Sequence, residues 1–555
     1  MRLVTEAVIC PNLLLLESNT RESAIKRSFG STKSDNTVNR SMSDNKTLKH
    51  KLNNISKWHP KNTAFVQAED ERQITYQEAN RKSKTVANAI SDLGVNKGDR
   101  VAFVSKTTID HAIAFFGVQK LGAISATIHS REAPAQIRDM VRSIDPQVVI
   151  FEPEFAETVR PLSKGGIEEF LTFDNWGTVP DFAQSLGDLA DESSDNEPDV
   201  SVSPKDPAFI NFTSGSTGDP KGIVHTHSEV IESAQVLQYA YCTRESDSIL
   251  NQFGPEFIAW YNPVLAAINV GAKLVLARDW DPSKIVSLIN EEEVSISMIM
   301  PTQWKMLFQE NVDTSHFSSL RLAGYAGEAL SQELAQQIRE EVTDNLFNAY
   351  GSTEIITGGA ILLPHQVTDE TLLSIGHPVP NTEIRIIEPN SKEPNSVVEN
   401  GEAGELIVRG PTVANEVWTD SSSKKETFHE DGWWFSGDLA EVSDDGLIYL
   451  KGRADNLIIS GGINVYPAKI EGVVEEHPDV IECAVVGIPH EKWTETPKAF
   501  VRLREEVSTE NLDKWCRESE KLGNYQRPRE WEVVENMPRT NTNKVDRASL
   551  QERDN

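Results

Sequence analysis

The sequence predicts an α/β protein with parallel sheets and a smaller unit at its C-terminal end. Two observations carry this. From about residue 42, short apolar runs of strand character alternate with longer stretches of helical period, the pattern of strands joined by crossover helices. A second alternating unit of about 100 residues starts near residue 454, a natural size for a small separate domain. At roughly 150 residues per domain, a 555-residue chain has room for an enzyme-sized core. It is too long for a disulfide-stapled peptide or a lone binding module.

Each element has a local reason. Tyr76-Gln77-Glu78-Ala79 opens a helix running towards Leu93, which Gly94 ends. Residues 99–104 read as a buried strand. A helix follows over 109–121 and stops at Gly122, and 148–151 form a short apolar strand. Residues 186–206, acidic and rich in Ser, Asp and Pro, read as a surface linker. The apolar run Ala208-Phe209-Ile210-Asn211-Phe212 is a further strand. In the C-terminal unit a strand is predicted over 480–486 and a helix over 510–520. Another strand starts at Val533-Val534. No repeat of 20–50 residues is visible.

Residues 1–41 stand apart. They carry six basic and four acidic residues, are rich in Ser, Asn, Thr and Arg, and lack sustained periodicity. They read as a disordered tail, or as an extension ahead of a start at Met42. The apolar run from Ala7 to Leu16 is broken by Pro11-Asn12 and has no small-residue cleavage site, so it is not read as a signal peptide. No apolar run reaches the 18 or so residues of a membrane span.

The net charge is −31, from 54 basic and 85 acidic residues spread along the chain. Such a surface repels phosphate backbones and anionic headgroups, which excludes nucleic acid and bare membrane as general partners. It suits either a halophilic protein in a salty cytosol or an ordinary acidic cytosolic one. Cys10, Cys242, Cys483 and Cys516 lie far apart, without a CxxC pair. A zinc site or disulfide framework is not expected, and a reducing, cytoplasmic setting is.

The sharpest motif follows the 208–212 strand: Thr213-Ser214-Gly215-Ser216-Thr217-Gly218-Asp219-Pro220-Lys221-Gly222. Glycines let backbone N–H groups approach an anion, hydroxyls donate hydrogen bonds, and Lys221 adds a point charge. Triphosphate binding is the natural reading. It is not a Walker A loop, because Pro220 stands at the second Gly position and Gly222 at the Ser/Thr.

This loop resembles the signature loop of the acyl-adenylate-forming, AMP-binding enzymes: acyl-CoA synthetases, luciferases and the adenylation domains of peptide synthetases. Further motifs match in the family's order between about residues 60 and 547. The first is Asn348-Ala349-Tyr350-Gly351-Ser352-Thr353-Glu354. The resemblance sets Tyr350 against adenine, Thr353 on the α-phosphate and Glu354 near Mg²⁺, with Asn348 and Gly351 in the same nucleotide site. An aromatic ring, a hydroxyl and a hard carboxylate suit those roles. In Gly324-Tyr325-Ala326-Gly327-Glu328-Ala329 the resemblance gives Gly327, Glu328 and Ala329 to the adenine wall. Gly324, Tyr325 and Ala326 then floor the carboxylate pocket.

Trp433-Trp434-Phe435-Ser436-Gly437-Asp438 would present Asp438 to the ribose hydroxyls, with Arg453 of Lys451-Gly452-Arg453-Ala454-Asp455-Asn456 reaching ribose or phosphate. Asp455 would be the hinge between a large domain, 42–453, and a small lid domain, 454–555. Ser460, Gly461 and Gly462 would approach the pantetheine arm of coenzyme A. Lys544, in Asn541-Thr542-Asn543-Lys544, resembles the lysine that contacts both the substrate carboxylate and the α-phosphate during adenylation. Asn543 stands where the family usually has Gly. Tyr525-Gln526-Arg527-Pro528-Arg529 resembles the segment holding the CoA nucleotide, with Trp493 beside it.

The resemblance thus implies an acyl-CoA synthetase/luciferase-like fold and an AMP-forming acyl-CoA synthetase. Its substrates would be ATP, CoA and a small-molecule carboxylic acid, and Mg²⁺ its cofactor; fatty acid metabolism is one setting. Residues 253–261, with His225, His227 and Tyr325, would line the acid pocket, Phe257, Trp260 and Tyr261 among them. The aromatic, apolar lining suits a hydrophobic acid. Trp260 either truncates the pocket, favouring short or aryl acids, or is core; a minor option is that Glu256 meets a substrate amine, which would favour an amino acid. Two rivals stay open: an adenylating enzyme that loads a carrier protein, and a non-catalytic nucleotide sensor.

Overall fold

The computed structural model describes residues 46–213, 221–309, 312–327, 330–389, 391–414, 416–418, 427–460, 463–490, 492–505, 507–519, 521–540 and 545–553. The predicted alternation is realised as two large, mainly parallel sheets. One has nine strands. Its parallel centre runs through Thr63–Gln67, Lys273–Leu276, Ser248–Asn251, Ile296–Met298, Leu322–Ala326 and Leu346–Tyr350. The other has eight, with Pro207–Thr213, Ile124–Thr127, Arg100–Val104, Val148–Phe151 and Glu169–Thr172 at its parallel centre.

The main core lies between these sheets. It joins Phe103 and Phe209 of one sheet and Leu274 and Phe347 of the other to helices Tyr76–Asp92, Ile109–Leu121, His227–Tyr241 and Ile258–Val270. The 109–121 helix is buried on nearly every side, as its mainly apolar sequence favours, and takes His111, Gln119 and Lys120 in with it. It ends on Gly122, as predicted. The Tyr76–Asp92 helix starts with a capping box between Thr75 and Glu78.

A four-stranded antiparallel sheet, Glu383–Ile387, Gly404–Arg409, Trp434–Val442 and Ile448–Arg453, follows. The small C-terminal domain is built on Ile458–Ser460, Ile463–Val465, Val480–His490 and Thr494–Leu503, with Glu530–Val533 added in parallel. Its helices Pro467–Glu475 and Thr509–Glu518 cover one face. Among the described residues no helix is long and apolar enough to cross a membrane.

Two local expectations need correction. Residues 186–206 are not a free linker. They begin with the helix Leu186–Glu192, whose Leu186 and Ala190 are buried. The rest is strapped down: Lys49 donates to the carbonyls of Pro198 and Val200, and Glu197 pairs with Lys49, Lys84 and Lys120. A polar composition hides such clamps, because the partners are remote in sequence. Val533-Val534 does not open a strand: Val533 closes one and Val534 lies just beyond it. The strand Glu530–Val533 ends there, its register set by pairing with 498–501 and by the Arg529 N–H to Pro497 carbonyl bond.

Candidate active site

The ends of two strands and the middle of a third converge. Tyr350 closes strand Leu346–Tyr350, and Asp438 and Arg453 face each other across the antiparallel pair Trp434–Val442 and Ile448–Arg453. The Tyr350 hydroxyl donates to Asp438 Oδ2 at 2.6 Å, and Arg453 Nη1 donates to Asp438 Oδ1 at 2.9 Å and to the Ser436 carbonyl at 2.7 Å. Ser436 Oγ accepts from the Asp438 N–H at 2.9 Å and donates to the Leu406 carbonyl at 2.6 Å. Gly437 between them has φ +68°, and a Cβ there would come 2.8 Å from the Arg453 guanidinium. Only glycine fits this turn.

Electrostatics match the geometry. Burial, reinforced by Asp438, pushes the Tyr350 hydroxyl well above its ordinary pKa, so it serves as a neutral donor. Burial works to lower the Arg453 guanidinium, but Asp438 and Asp455 outweigh it and hold it above its usual value. Asp455 is exposed in the turn Ala454–Asn456, 3.8 Å from Arg453 Nη2.

The phosphate motif is anchored from both sides. Strands Pro207–Thr213 and Lys221–Thr226 are antiparallel, with Thr213 directly opposite Lys221. His225, fully buried on the second strand, donates from Nε2 to the Thr353 carbonyl at 2.7 Å, while its Nδ1 lies 3.6 Å from Glu229 Oε2. The strand leaving the phosphate loop is thereby tied to the 3₁₀ turn Thr353–Ile355. Ile356 after it has φ +51°, strained for a β-branched residue. The Glu354 carbonyl accepts from Ala414 N at 2.8 Å, and its carboxylate accepts from Ser352 Oγ. Asn348 is buried with its amide on the Ser374 carbonyl; Gly351 and Gly327 are exposed.

The acid-pocket residues divide. Phe257 is half-buried against the His129 ring. Trp260 is core: its indole is enclosed by His111, Phe115 and Tyr261. Tyr261 stacks on Phe209, with centroids 4.2 Å apart. His227 also turns away, accepting from Leu48 N at 3.3 Å at the start of helix Leu48–Trp58, and burial pushes its imidazole down to about 4. Helical phase explains both placements, since an apolar run gives no indication of which face meets the core. Gly324 and Tyr325 are buried, Ala326 is half-buried, and the Tyr325 hydroxyl donates to the Leu372 carbonyl at 2.5 Å.

In the small domain Ser460 pairs with Thr494. Trp493 and Tyr525 are exposed, with Lys492 Nζ 4.4 Å from the Trp493 ring centroid. Arg529 is exposed and donates to the Asn524 carbonyl. Arg527, expected with Arg529 at the CoA nucleotide, is half-buried in an ion pair with Asp513. Ser214, Gly215, Ser216, Thr217, Gly218, Glu328, Ala329, Gly461, Gly462 and Lys544 lie outside the described residues.

A family model described as "AMP-binding enzyme" matches residues 53–418, and one described as "AMP-binding enzyme C-terminal domain" matches 469–544. The chain belongs to the AMP-binding enzymes. It is of the acyl-CoA synthetase type, an AMP-forming acid–thiol ligase. It is 30% identical over 500 residues to a long-chain-fatty-acid–CoA ligase, FadD13, of Mycobacterium tuberculosis, covering 89% of this chain and 95% of that one. It is 29% identical to a feruloyl-CoA synthase of an Amycolatopsis species, covering 86% and 94%. Among solved structures it resembles o-succinylbenzoate CoA synthetase (MenE) from Bacillus subtilis in complex with the acyl-adenylate intermediate OSB-AMP. That likeness has 25% identity and a TM-score of 0.79, covering 90% and 97%.

In this AMP-binding enzyme the donor chemistry at Glu354 fits Mg²⁺. Among the described residues no three carboxylate, imidazole or thiolate groups converge as a dedicated metal cage. A lone oxygen ligand is what Mg²⁺ needs when substrate phosphates supply the rest. Sequence reasoning missed the anchoring role of His225, the polar neighbourhood of Asn211, and the partner of Arg527. Residue type does not reveal which partner packing supplies, whether 14 positions away, as for Arg527 and Asp513, or 128, as for His225 and Thr353.

Proposed function

We propose that this enzyme joins a carboxylic acid to coenzyme A at the expense of MgATP. An acyl-adenylate would be the intermediate and AMP and diphosphate the products. The observation that carries the reading is the Tyr350–Asp438–Arg453 cluster beside a Thr353 turn held by His225. A hydrogen-bonded carboxylate–guanidinium pair under a neutral phenol suits a nucleoside, and a tethered threonine suits its α-phosphate.

In the first half-reaction the acid's carboxylate attacks the α-phosphorus. Thr213, Lys221 and the hydroxyl-rich segment between them orient the β- and γ-phosphates, and Thr353 and Lys544 hold the α-phosphate. Asp438 and Arg453 exchange part of their mutual bonding for the ribose hydroxyls. Glu354 would hold Mg²⁺, which when bound would supply counter-charge to the phosphates. In the second half-reaction the 454–555 domain turns about Asp455, withdrawing Lys544 and presenting Ser460 and its glycines to pantetheine. Trp493, Tyr525 and Arg529 then meet the CoA nucleotide, and Arg527 joins only by giving up Asp513. The thiol attacks the acyl carbon and AMP leaves. No side-chain nucleophile is needed: the work is positioning and electrostatics.

The test is AMP release with MgATP and CoA across short, medium, branched and aryl acids, at low and molar KCl. AMP formed with one class of acid, only when CoA is present, is the expected result. Acid-dependent pyrophosphate exchange without CoA-dependent AMP would move the reading to carrier loading. Silence in both assays from folded protein would move it to a sensor.

A further inference from the structure

The acid's tail is the part of the reaction the family leaves open, and one buried polar cluster bears on it. Asn211 is fully buried on strand Pro207–Thr213, two residues before Thr213. Its Nδ2 donates to the Glu256 carbonyl at 2.9 Å, while among the described residues its Oδ1 has no partner. Glu256 is 3% exposed; among the described residues its Oε2 has no partner, its Oε1 lies 3.4 Å from Ser130 Oγ, and its own backbone N–H favours the charged carboxyl.

The loop is shaped around this carboxylate. It rests on the bare Cα of Gly254, where a Cβ would fall 2.4 Å from Oε2. Tyr261 and Thr127 face each other close by. His129 and Arg131 attract Glu256 only from a distance, and burial pushes its carboxyl up. A buried carboxylate without a cation in contact is costly, and such groups gather where function uses them.

With Glu256 ionised, the unsatisfied atoms are both acceptors, since the Asn211 amide nitrogen is already committed to the Glu256 carbonyl. The complementary ligand is therefore a donor. It is not the reacting carboxylate, which Glu256 would repel. We propose that Glu256 and Asn211 form a polar subsite taking a hydrogen-bond donor, a hydroxyl or an ammonium, on the tail of the acid. This rests on the ligase reading above. It places the substrate among hydroxy- or amino-substituted acids rather than plain hydrocarbon ones.

The test compares matched acids on the full chain: 3-hydroxybutyrate with butyrate, 4-hydroxybenzoate with benzoate, and 4-(aminomethyl)benzoate with 4-methylbenzoate. Sites built around a donor reject analogues lacking it strongly. The wild type is expected to favour one donor-bearing acid by about tenfold or more in kcat/KM. Glu256→Leu should erase that ratio. Glu256→Gln keeps a preference for hydroxyl but loses one for ammonium, which separates the two chemistries. Gly254→Ala keeps the charge yet displaces it, and should weaken the ratio. If Glu256→Leu does not fold, the other two variants decide. Indifference to the donor in the wild type, or a preference that survives these variants, overturns the subsite. Where no acid yields AMP, calorimetric binding of the same pairs without ATP separates the two claims. Tighter binding of a donor acid, lost on substitution, upholds the subsite while the ligase reading falls. Equal binding overturns the subsite.

Discussion

In the proposed mechanism Lys544 is the residue whose loss should separate the two half-reactions. A cation aimed at charge developing in a transition state is worth on the order of 10²–10³ in rate. Lys544→Ala should lower acid-dependent pyrophosphate exchange by that factor while sparing thioester formation from supplied acyl-AMP. Equal loss of both activities would remove the assigned role. His111 gives a pH-dependent prediction. Its ring lies between Phe103 and Trp260, its Nδ1 is 2.8 Å from Ser105 Oγ, and burial pushes it down to about 3. The folded state keeps it neutral, while the unfolded chain takes up a proton below about pH 6.5. The stability it contributes is therefore present above pH 6.5 and drains away as pH falls. The loss reaches about 3 kcal/mol by pH 4.5. Urea unfolding of wild type and His111→Gln from pH 7.5 to 4.5 should show the wild type falling more steeply; parallel curves would contradict this.

At the scale of elements, the helix His227–Tyr241 links the phosphate strand to the core. Thr226 and Glu229 form a reciprocal capping box at its start, and Glu229 also approaches His225. Losing such a cap costs about 1 kcal/mol. Thr226→Ala should lower the unfolding free energy by that amount, with Thr226→Ser close to wild type; an unchanged urea midpoint would show the cap to be idle. The strap 193–200 illustrates the opposite kind of element. Its composition says loop, but its carbonyls and Glu197 are gripped by lysines from three helices.

At the scale of the whole molecule, charge dominates. A net −31 repels itself, and salt shortens the screening length from about 10 Å at 0.1 M to about 3 Å at 1 M. The midpoint of thermal unfolding should therefore rise between 0.1 and 2 M KCl. A flat or falling midpoint would mean that the acidic surface does not limit stability. The two-domain plan has a chemical reason at this scale. In the proposed mechanism Lys544 leaves before the thiol enters, and the turn Ala454–Asn456, with Asp455 exposed beside Arg453, is where that rotation is proposed.

Much of this was determined by the sequence alone. Helical and strand periods placed Tyr76–Asp92, Ile109–Leu121 and Val148–Phe151 nearly residue for residue, because glycine stops and apolar spacing are local properties. The ordered motifs named the family, because nucleotide chemistry demands particular residue types at short spacings. Tertiary structure decided what depends on distant partners. It put Trp260 and His227 into the core and paired Arg527 with Asp513. It tied His225 to Thr353 and left Glu256 and Asn211 with unmet acceptors. The physical reason is common to all of these. A side chain's chemistry is written in its own residue, but its partner is chosen by packing across the fold.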